Sequence, residues 1–475
     1  MKRTVIALLA FALFMTGTNA QETELIEDGI YLYGVDSLKL DSLYTYWNTY
    51  VQFHPKDEVA WRNLSELEQA KVNRLLYKIH HWQAPQQLRK QLNVMKRMEQ
   101  AIPGTYTFYY CAHVGGYVSE KESKLMEEND VPELFSHPDE YADSAIAVLP
   151  KSVPARDYDL WAEYLIEKND TLLLTKVLTQ YYESGLYPEE RLQYNFNELQ
   201  GMEAGGVYLG HNEGDIIGKL ILQYVLGVHQ DKILYHENLA PREDYLKAVF
   251  NRIGIPFSDE IYRQLHSIRQ DEMLTNVMRY IFEHSKHPVY LSAFNIPDMV
   301  LGKGVPDELK ACLYNEGLTM RYSKKPYDNM AVKRRNVEQR YLLEYLLMSF
   351  HPKRQSTQRF QVPAEILEFY YLFLLNDLMP YYKKHNPERR AWLNRILTCI
   401  LSKMESNDSG GFFSGGKFYE IKLKDDADGG CYYELTERPE KYWRIEPDED
   451  EAKQKQMREQ MKKTTRVLIK TDPIK

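Results

Sequence analysis

The sequence lacks the short motifs by which many enzymes are recognised. It contains no glycine-rich phosphate fingerprint, no nucleophile elbow, no CxxC pair, and no HExxH or HxH pair among its 13 histidines. The adjacent His80 and His81 would lie on different sides of a helix, so they form no metal-binding pair. These absences argue against a zinc site, against thiol exchange, and against the standard nucleotide-binding and serine-hydrolase sites.

Cysteine is also scarce. Only Cys111, Cys312, Cys399 and Cys431 occur, and they are far apart in the chain. One or two disulfides could form in an oxidising compartment, but a chain of 475 residues with 44% apolar residues can bury a core without them. We therefore expect buried thiols.

Long apolar runs are missing beyond the first 20 residues, where the order of residues is that of a secretory signal peptide. Lys2 and Arg3 precede the apolar run Val5 to Met15, and small residues ending at Ala20 follow it. This run is shorter than the ~20 residues that span a bilayer. We expect cleavage after Ala20 and a mature chain that is periplasmic or otherwise exported, with no transmembrane segment.

Basic residues are fewer than acidic ones. The chain has 60 Lys and Arg against 68 Asp and Glu, a formal net charge of −8. Removal of Lys2 and Arg3 with the signal peptide leaves 58 against 68, or −10. This balance predicts no nucleic acid partner and disfavours an anionic membrane as the main partner.

Tyrosine, by contrast, is abundant, with 37 residues against 17 phenylalanines. Its apolar ring and polar tip suit helix packing and carbohydrate-facing surfaces alike. We favour packing and leave a glycan ligand open.

The first half of the chain has helical periodicity. Tyr46, Trp47 and Tyr50 follow helical spacing, and His54 to Asp57 forms a break, so this part resembles a single tetratricopeptide-like helical hairpin. Ser119 to Pro154 is rich in charge, proline and serine, which indicates a linker. The predicted organisation is a signal peptide (1–20), a helical, tetratricopeptide-like region (21–118), a linker and helical region (119–200), an α/β domain (201–325), a helical region (326–406), and a flexible loop with a charged tail (407–475).

Past Met202 the pattern changes to alternating short apolar runs and helices. The predicted strands are Gly206 to Leu209, Lys232 to Tyr235, Pro288 to Phe294 and Leu318 to Tyr322. The predicted helices are Ile216 to Val228, Asp244 to Ile253, Asp259 to His284 and Pro306 to Asn315. Such alternation is typical of a small parallel sheet flanked by helices. The fold class is therefore mainly α with an α/β part, having a helical-hairpin N-terminal region, a small parallel-sheet α/β domain and C-terminal helices.

Polar residues follow three of these strands, and parallel strands bring such ends to one edge of a sheet. The candidate ligand-binding residues are His211, Asn212, Glu213, Asp215, Glu237 and Asn295. Their oxygens would suit a polyol or a divalent cation, but no cofactor is predicted. In the alternative interpretation, Asp215 caps a helix that begins at Ile216, worth ~1 kcal/mol, and Glu213 is solvated. If the candidates face different ways, the helical surfaces around Trp47, Trp61 and Trp161 become the candidates for partner binding.

One stretch also resembles a known family. The run Gly206 to Leu239, with the loop His211 to Asp215 and the turn Leu222 to Asp231, resembles the soluble C-terminal region of the bacterial membrane protein-mannosyltransferase-like family. Further matching motifs are His287 to Ser292, Asn315 to Tyr322, and Asn336 with Arg340 and Tyr341. The resemblance covers roughly residues 200 to 350. Glu213 and His229 depart from it, since the family has asparagine or aspartate and arginine there.

The resemblance implies a fold and a binding role, because the transfer chemistry of that family resides in a multi-span membrane half that this sequence lacks. The sequence thus predicts an exported, non-catalytic binding or scaffold protein of the bacterial cell envelope, with an envelope protein as its partner. The alternative is a carbohydrate-active enzyme that uses the acidic loop.

The N-terminus offers a direct test of export. Mass spectrometry of the mature protein should find Gln21, or its cyclised form, as the first residue, because the small residues before it are those that signal peptidases accept. Intact Met1 in the soluble cytoplasmic fraction would contradict the prediction.

Overall fold

The computed structural model describes residues 37–77, 84–126, 138–210, 213–266, 270–293, 309, 311–347, 364–406, 411–414, 417–425 and 431–438. These residues are mostly helical with a small mixed sheet, which confirms the predicted class. They belong to two compact units. The helical unit lies within Met1–Leu192 and Asn212–Gln230, and the sheet unit within Gln193–His211, Asp231–Phe350 and Val362–Lys475. The predicted signal peptide and the acidic run at Asp448 to Glu451 lie outside the described residues.

The helical unit is built from consecutive helices. They are α1 (Ser37–Phe53), α2 (Glu58–Tyr77), α3 (Ala84–Ala101), α4 (Tyr106–Met126), α5 (Pro138–Ala147), α6 (Ala155–Lys168), α7 (Thr171–Glu183), the first residues of α8 (Glu189–Gly201), and α9 (Glu213–Leu220), which continues as a π turn, Ile221–Val225. The break between α1 and α2 falls where it was predicted, and Asp57 caps α2 by accepting a hydrogen bond from the Ala60 amide at 3.0 Å.

The predicted linker is wrong over much of its length. Helix α4 runs on to Met126, and α5 occupies Pro138–Ala147. Ala142, Ala145 and Ile146 are buried on one side of α5, while charged residues cover the other side. The charge within Pro138–Ala147 therefore reflects the solvent face of a short helix.

The sheet unit contains a five-stranded sheet in the order β2-β1-β3-β5-β4. Its strands are β1 (Val207–Gly210), β2 (Ile233–His236), β3 (Val289–Ser292), β4 (Leu313–Asn315) and β5 (Thr319–Tyr322). Strand β1 pairs in parallel with both β2 and β3, as predicted. Strands β5 and β4 are antiparallel additions, so the sheet is mixed.

The antiparallel edge corrects a predicted helix. Leu313–Asn315, the end of the predicted helix Pro306 to Asn315, is strand β4. A tight turn joins β4 to β5: Gly317 has φ +132°, and its amide donates to the Asn315 side chain at 3.1 Å. An asparagine side chain that bonds the backbone two residues on, together with a glycine at positive φ, favours a tight turn, and here it outweighs the helical spacing upstream.

The two faces of the sheet differ in chemistry. Val207, Leu209, Val289 and Leu291 point into an apolar core shared with α10 (Glu243–Arg252), α11 (Asp259–His266) and α12 (Gln270–His284). The alternate residues Tyr208, Tyr290, Ser292 and Thr319 form the opposite face, which is polar and aromatic. Side chains alternate along a strand, so these residues share one face. Buried polar groups on that face need hydrogen-bond partners.

The other residues of the sheet unit that are described before residue 406 are mostly helical. It comprises α13 (Asn329–Arg335), a π turn (Asn336–Arg340), a 3-10 turn (Glu344–Leu347), α14 (Ala364–His385) and α15 (Pro387–Ser406). A three-stranded antiparallel sheet follows, made of β6 (Gly411–Ser414), β7 (Lys417–Asp425) and β8 (Cys431–Arg438). The prediction of a flexible loop there is wrong. Strands β6 and β7 are flanked by glycine, and the glycine and serine content of this stretch suggested a loop.

The structure bears on the predictions about membrane spans and cysteines. No helix among the described residues combines the length and apolar character needed to cross a membrane. Cys111 is buried as expected, whereas Cys312 and Cys399 are only half-buried, and no disulfide joins these three residues. Cys431 lies in β8, where side chains are not described.

The Tyr341 hydroxyl fixes the β4–β5 turn. It accepts a hydrogen bond from the Leu318 amide at 3.1 Å. A Cβ atom added to Gly317 would clash with this hydroxyl, and one added to Gly201 would lie 2.7 Å from it. Close approach thus favours glycine at both positions, and at Gly317 the positive φ favours it as well.

Replacing Gly317 tests this packing. Gly317→Ala should lower the free energy of unfolding of the sheet unit by ~3 kcal/mol, from backbone strain together with overpacking against Tyr341. Gly185→Ala is the control, since Gly185 also has positive φ (69°) but nothing lies within 4 Å of its added Cβ. It should cost only ~1 kcal/mol. Equal losses in chemical denaturation would show that the Tyr341 contact contributes nothing.

Candidate functional site

The predicted acidic loop is described only in part. His211, Asn212 and Asn295 lie outside the described residues. Glu213 begins α9, and its side chain is not described. Asp215 belongs to the helical unit and Glu237 to the sheet unit. A crevice shared by these side chains therefore stays a prediction.

Asp215 has a different role from the predicted helix cap. Helix α9 begins at Glu213, so Asp215 lies inside its first turn and not before it. Its Oδ1 atom is 2.8 Å from Nζ of Lys219, one turn later, and the Lys219 side chain is fully buried. Because a buried ammonium needs a compensating charge, Asp215 serves as the partner of Lys219, and the cap interpretation is wrong.

Glu237 follows β2 at the predicted strand end. It opens a 3-10 turn, Glu237–Leu239, and is half-buried. His236, the last residue of β2, caps this turn through Nδ1, which accepts from the Asn238 amide at 3.2 Å. The polar residues after β2 therefore form a local turn structure.

Sequence reasoning missed a carboxylate beneath the polar face of the sheet. Glu198 of α8 is 0% exposed. Its Oε1 accepts from the Ser292 hydroxyl at 2.6 Å and lies 3.5 Å from the Tyr208 hydroxyl. The alternation of Tyr208 and Ser292 with apolar residues was the available signal, because it marks a second, polar face.

A second buried carboxylate, Glu316, stands in the β4–β5 turn. It is 1% exposed, and its Oε1 accepts from the Tyr327 hydroxyl at 2.7 Å. Burial raises the pKa of Glu316, and the Tyr327 hydrogen bond and the nearby Arg321 oppose that rise. Asn336 donates to the Glu316 carbonyl at 2.8 Å.

These contacts explain several of the motifs that suggested the family resemblance. Glu316, Gly317 and Leu318 of one motif meet Asn336 and Tyr341 of another. The Arg340 guanidinium adds a bond to the Gly201 carbonyl at 3.1 Å. The motifs therefore build a junction between α8, the β4–β5 turn and the π turn, and both buried carboxylates serve as acceptors inside the protein.

Metal binding finds no support among the side chains that the structure describes. They contain no group of three or more His, Cys, Asp or Glu side chains that could hold a metal ion. The acidic loop residues outside the described part are not covered by this finding.

The surface of α1 carries a group of aromatic rings in mutual contact. Tyr46 and Trp47 have ring centroids 5.0 Å apart, Trp47 and Tyr50 5.5 Å, and Tyr50 and His54 4.3 Å. Tyr46 is 48% exposed and the nearby Phe53 is 66% exposed. We call these five residues the α1 aromatic face. It exposes more apolar ring surface than isolated surface residues do.

Of the three tryptophans proposed as binding surfaces, only Trp47 is accessible. Trp61 and Trp161 are buried, so neither ring can contact a partner. The Trp161 indole donates to the Tyr106 hydroxyl at 2.9 Å, and Tyr106 donates to Asp157 at 2.7 Å. Asp157 in turn pairs with Arg62 through bonds of 2.6 and 2.7 Å. These tryptophans belong to buried networks that hold the helices together.

Glu68 is the described carboxyl with the largest resolved perturbation. It is fully buried in α2 and accepts a hydrogen bond from the Gln87 side chain. Burial raises the pKa of Glu68 to about 7, although Lys71 and Lys90 oppose the rise. The folded helical unit therefore holds this proton more tightly than the unfolded chain, where the pKa is ~4.3.

This difference predicts how stability depends on pH. The contribution of Glu68 is greatest below pH ~4.3 and is lost as the pH rises to about 7, on the order of 3 kcal/mol in all. Glu68→Gln should flatten this dependence, because glutamine cannot ionise. Unfolding followed by tryptophan fluorescence between pH 5 and 8 would show it. If the free energy of unfolding changed with pH in the same way for the wild type and Glu68→Gln, the raised pKa would be contradicted.

No family model, curated protein or solved structure matches this chain. The resemblance of residues 200 to 350 to the mannosyltransferase-like family therefore stays a prediction that rests on the motifs themselves.

Proposed function

We propose that this chain is an exported, non-catalytic binding or scaffold protein of the bacterial cell envelope, and that the α1 aromatic face is its partner-binding surface. The single observation that carries the proposal is the contact between accessible aromatic rings on one helix. The signal-peptide order of residues 1 to 20 supports the location.

The energetics of interfaces favour such a surface. Tyrosine and tryptophan are enriched among the residues that dominate binding energy, because they bury large areas with few rotatable bonds. Trp47 also packs against Leu40, Leu67 and Ala70, so its ring is held before a partner arrives. A ring that is already ordered loses little conformational entropy on binding.

The described carboxylates give little support to the alternative function, a carbohydrate-active enzyme. Glu198 and Glu316 are 0% and 1% exposed, and each accepts hydrogen bonds from neighbouring hydroxyl groups. Asp215 is held by Lys219. A glycosidase needs two carboxyl groups that reach its substrate from opposite sides of the bond. The binding role accounts for these contacts with fewer assumptions.

The nature of the partner follows from the composition of the face. Phe53 and Trp47 supply apolar area, while the tyrosine hydroxyls and His54 can form hydrogen bonds at its edge. This mixture is common at protein–protein interfaces. We therefore favour an envelope protein as the partner, with a glycan as the second candidate.

A double variant tests the proposal. Tyr46→Ala with Tyr50→Ala should reduce recovery of the partner from envelope fractions by about tenfold or more, since losing a central tyrosine typically costs ~2 kcal/mol. Leu172→Ala is the matched control, because Leu172 is 82% exposed on α7, away from the α1 aromatic face in sequence. Quantitative mass spectrometry of affinity-purified material would compare the three proteins. Equal recovery by the double variant would remove the α1 aromatic face as the binding surface.

A further inference from the structure

A concentration of positive charge stands out in the sheet unit of this acidic protein. Residues 383 to 390, at the turn from α14 to α15, contain four cations and one acid, a net charge of +3 (4 − 1, His neutral). Arg334 of α13 adds a further cation through its contact with α14, because its guanidinium lies 4.5 Å from the Tyr381 ring centroid. We call Arg334, Tyr381, Lys384, His385 and Arg389 the α14 basic patch.

Aromatic rings hold the cations of this patch in place. Arg334 stacks over Tyr381, and the Tyr381 and His385 rings have centroids 4.6 Å apart. Arg389 stacks over Trp392 at 4.1 Å and donates one bond, of 2.8 Å, to the Val337 carbonyl. A guanidinium has five N–H donors in a planar fork, so both arginines keep donors for a further acceptor.

Ordinary helix stability accounts for only part of this patch. Lys383, Lys384 and His385 stand in the last turn of α14, where cations stabilise the negative end of the helix dipole. Arg389 and Arg390 stand in the first turn of α15, where the same dipole disfavours cations by ~0.3–1 kcal/mol each. Helix formation alone thus gives no reason for the arginines at this position.

The carboxylates that the structure describes near this patch are mostly engaged by other residues. Glu338 accepts from the Tyr382 hydroxyl at 2.7 Å and is 3.8 Å from Arg334. Asp377 is taken by Lys333 at 2.6 Å. Lys384 is exposed and has no carboxylate partner among the described residues.

We infer that the α14 basic patch binds a short segment of a partner protein rich in aspartate and glutamate. Planar guanidinium groups held by rings suit bidentate recognition of carboxylates. The net charge of −8 repels a long polyanion. A short acidic segment is affected mainly by the charges close to it, because more distant ones are screened by salt. A glycan is less suited, because guanidinium groups cover the Tyr381 and Trp392 faces on which a sugar ring would stack.

This site shares no residue with the α1 aromatic face, and its test needs no natural partner. The full mature chain is titrated against a fluorescein-labelled peptide of alternating glutamate and glycine, and fluorescence anisotropy is read at ~50 and ~150 mM salt. The same peptide with glutamine in place of glutamate measures binding without charge. A soluble polyuronate serves as a competitor.

The variants are chosen to separate the patch from overall charge. Lys384→Glu and Arg334→Gln should each weaken peptide binding by about threefold to tenfold, since removing a contact charge lowers the association rate. Arg334→Lys should weaken it too, because lysine keeps the charge but loses the planar fork. Lys96→Glu, a reversal at an exposed cation of α3, should change it less than twofold. Thermal unfolding of each variant confirms that it folds.

Four results would overturn the inference. They are no glutamate-specific binding at the lower salt, affinities unchanged by Lys384→Glu and Arg334→Gln, an equal loss in Lys96→Glu, and tight binding of the polyuronate without binding of the peptide. The last result would identify an acidic glycan as the occupant.

Discussion

The Tyr341 hydroxyl group occupies the point on which the sheet unit depends. It approaches Gly201 of α8 and Gly317 of the β4–β5 turn so closely that neither position accepts a Cβ atom. Its bond from the Leu318 amide fixes the turn, and the turn in turn positions Glu316. Tyr341, α8 and the β4–β5 turn meet at this contact. Since protein interiors are close-packed, a displacement of one of them affects the other two.

Two buried carboxylates bind hydroxyl groups on or near the polar face of the sheet. Glu198 accepts from Ser292, and Glu316 accepts from Tyr327, so both carboxylates are buried with partners. Removing either acceptor would leave a hydroxyl without its bond in a dry environment, which costs ~1–3 kcal/mol. Raised pKa values and convergent polar groups mark many active sites, but structural networks produce the same signals. Here the burial of Glu198 and Glu316 separates the two cases, and it favours a structural role for both.

We therefore propose that binding takes place at exposed rings and charges. The α1 aromatic face belongs to the helical unit, and the α14 basic patch belongs to the sheet unit. One offers apolar area and the other offers planar cations, so they suit different parts of a protein partner or different partners. Both surfaces are ordered in advance by contacts within their own unit, which lowers the entropy lost on binding.

The sequence alone determined strands β1, β2 and β3 and their parallel pairing, because short apolar runs bounded by glycine and proline allow few alternatives. It did not reveal β4, since three residues of strand carry little periodicity and pairing with β5 decides their conformation. It also could not tell half-buried Trp47 from fully buried Trp161, because both follow the same helical spacing and only the packing of neighbouring helices separates them. For the same reason Asp215 resembled a cap in sequence, and only the buried Lys219 one turn away showed it to be a charge partner.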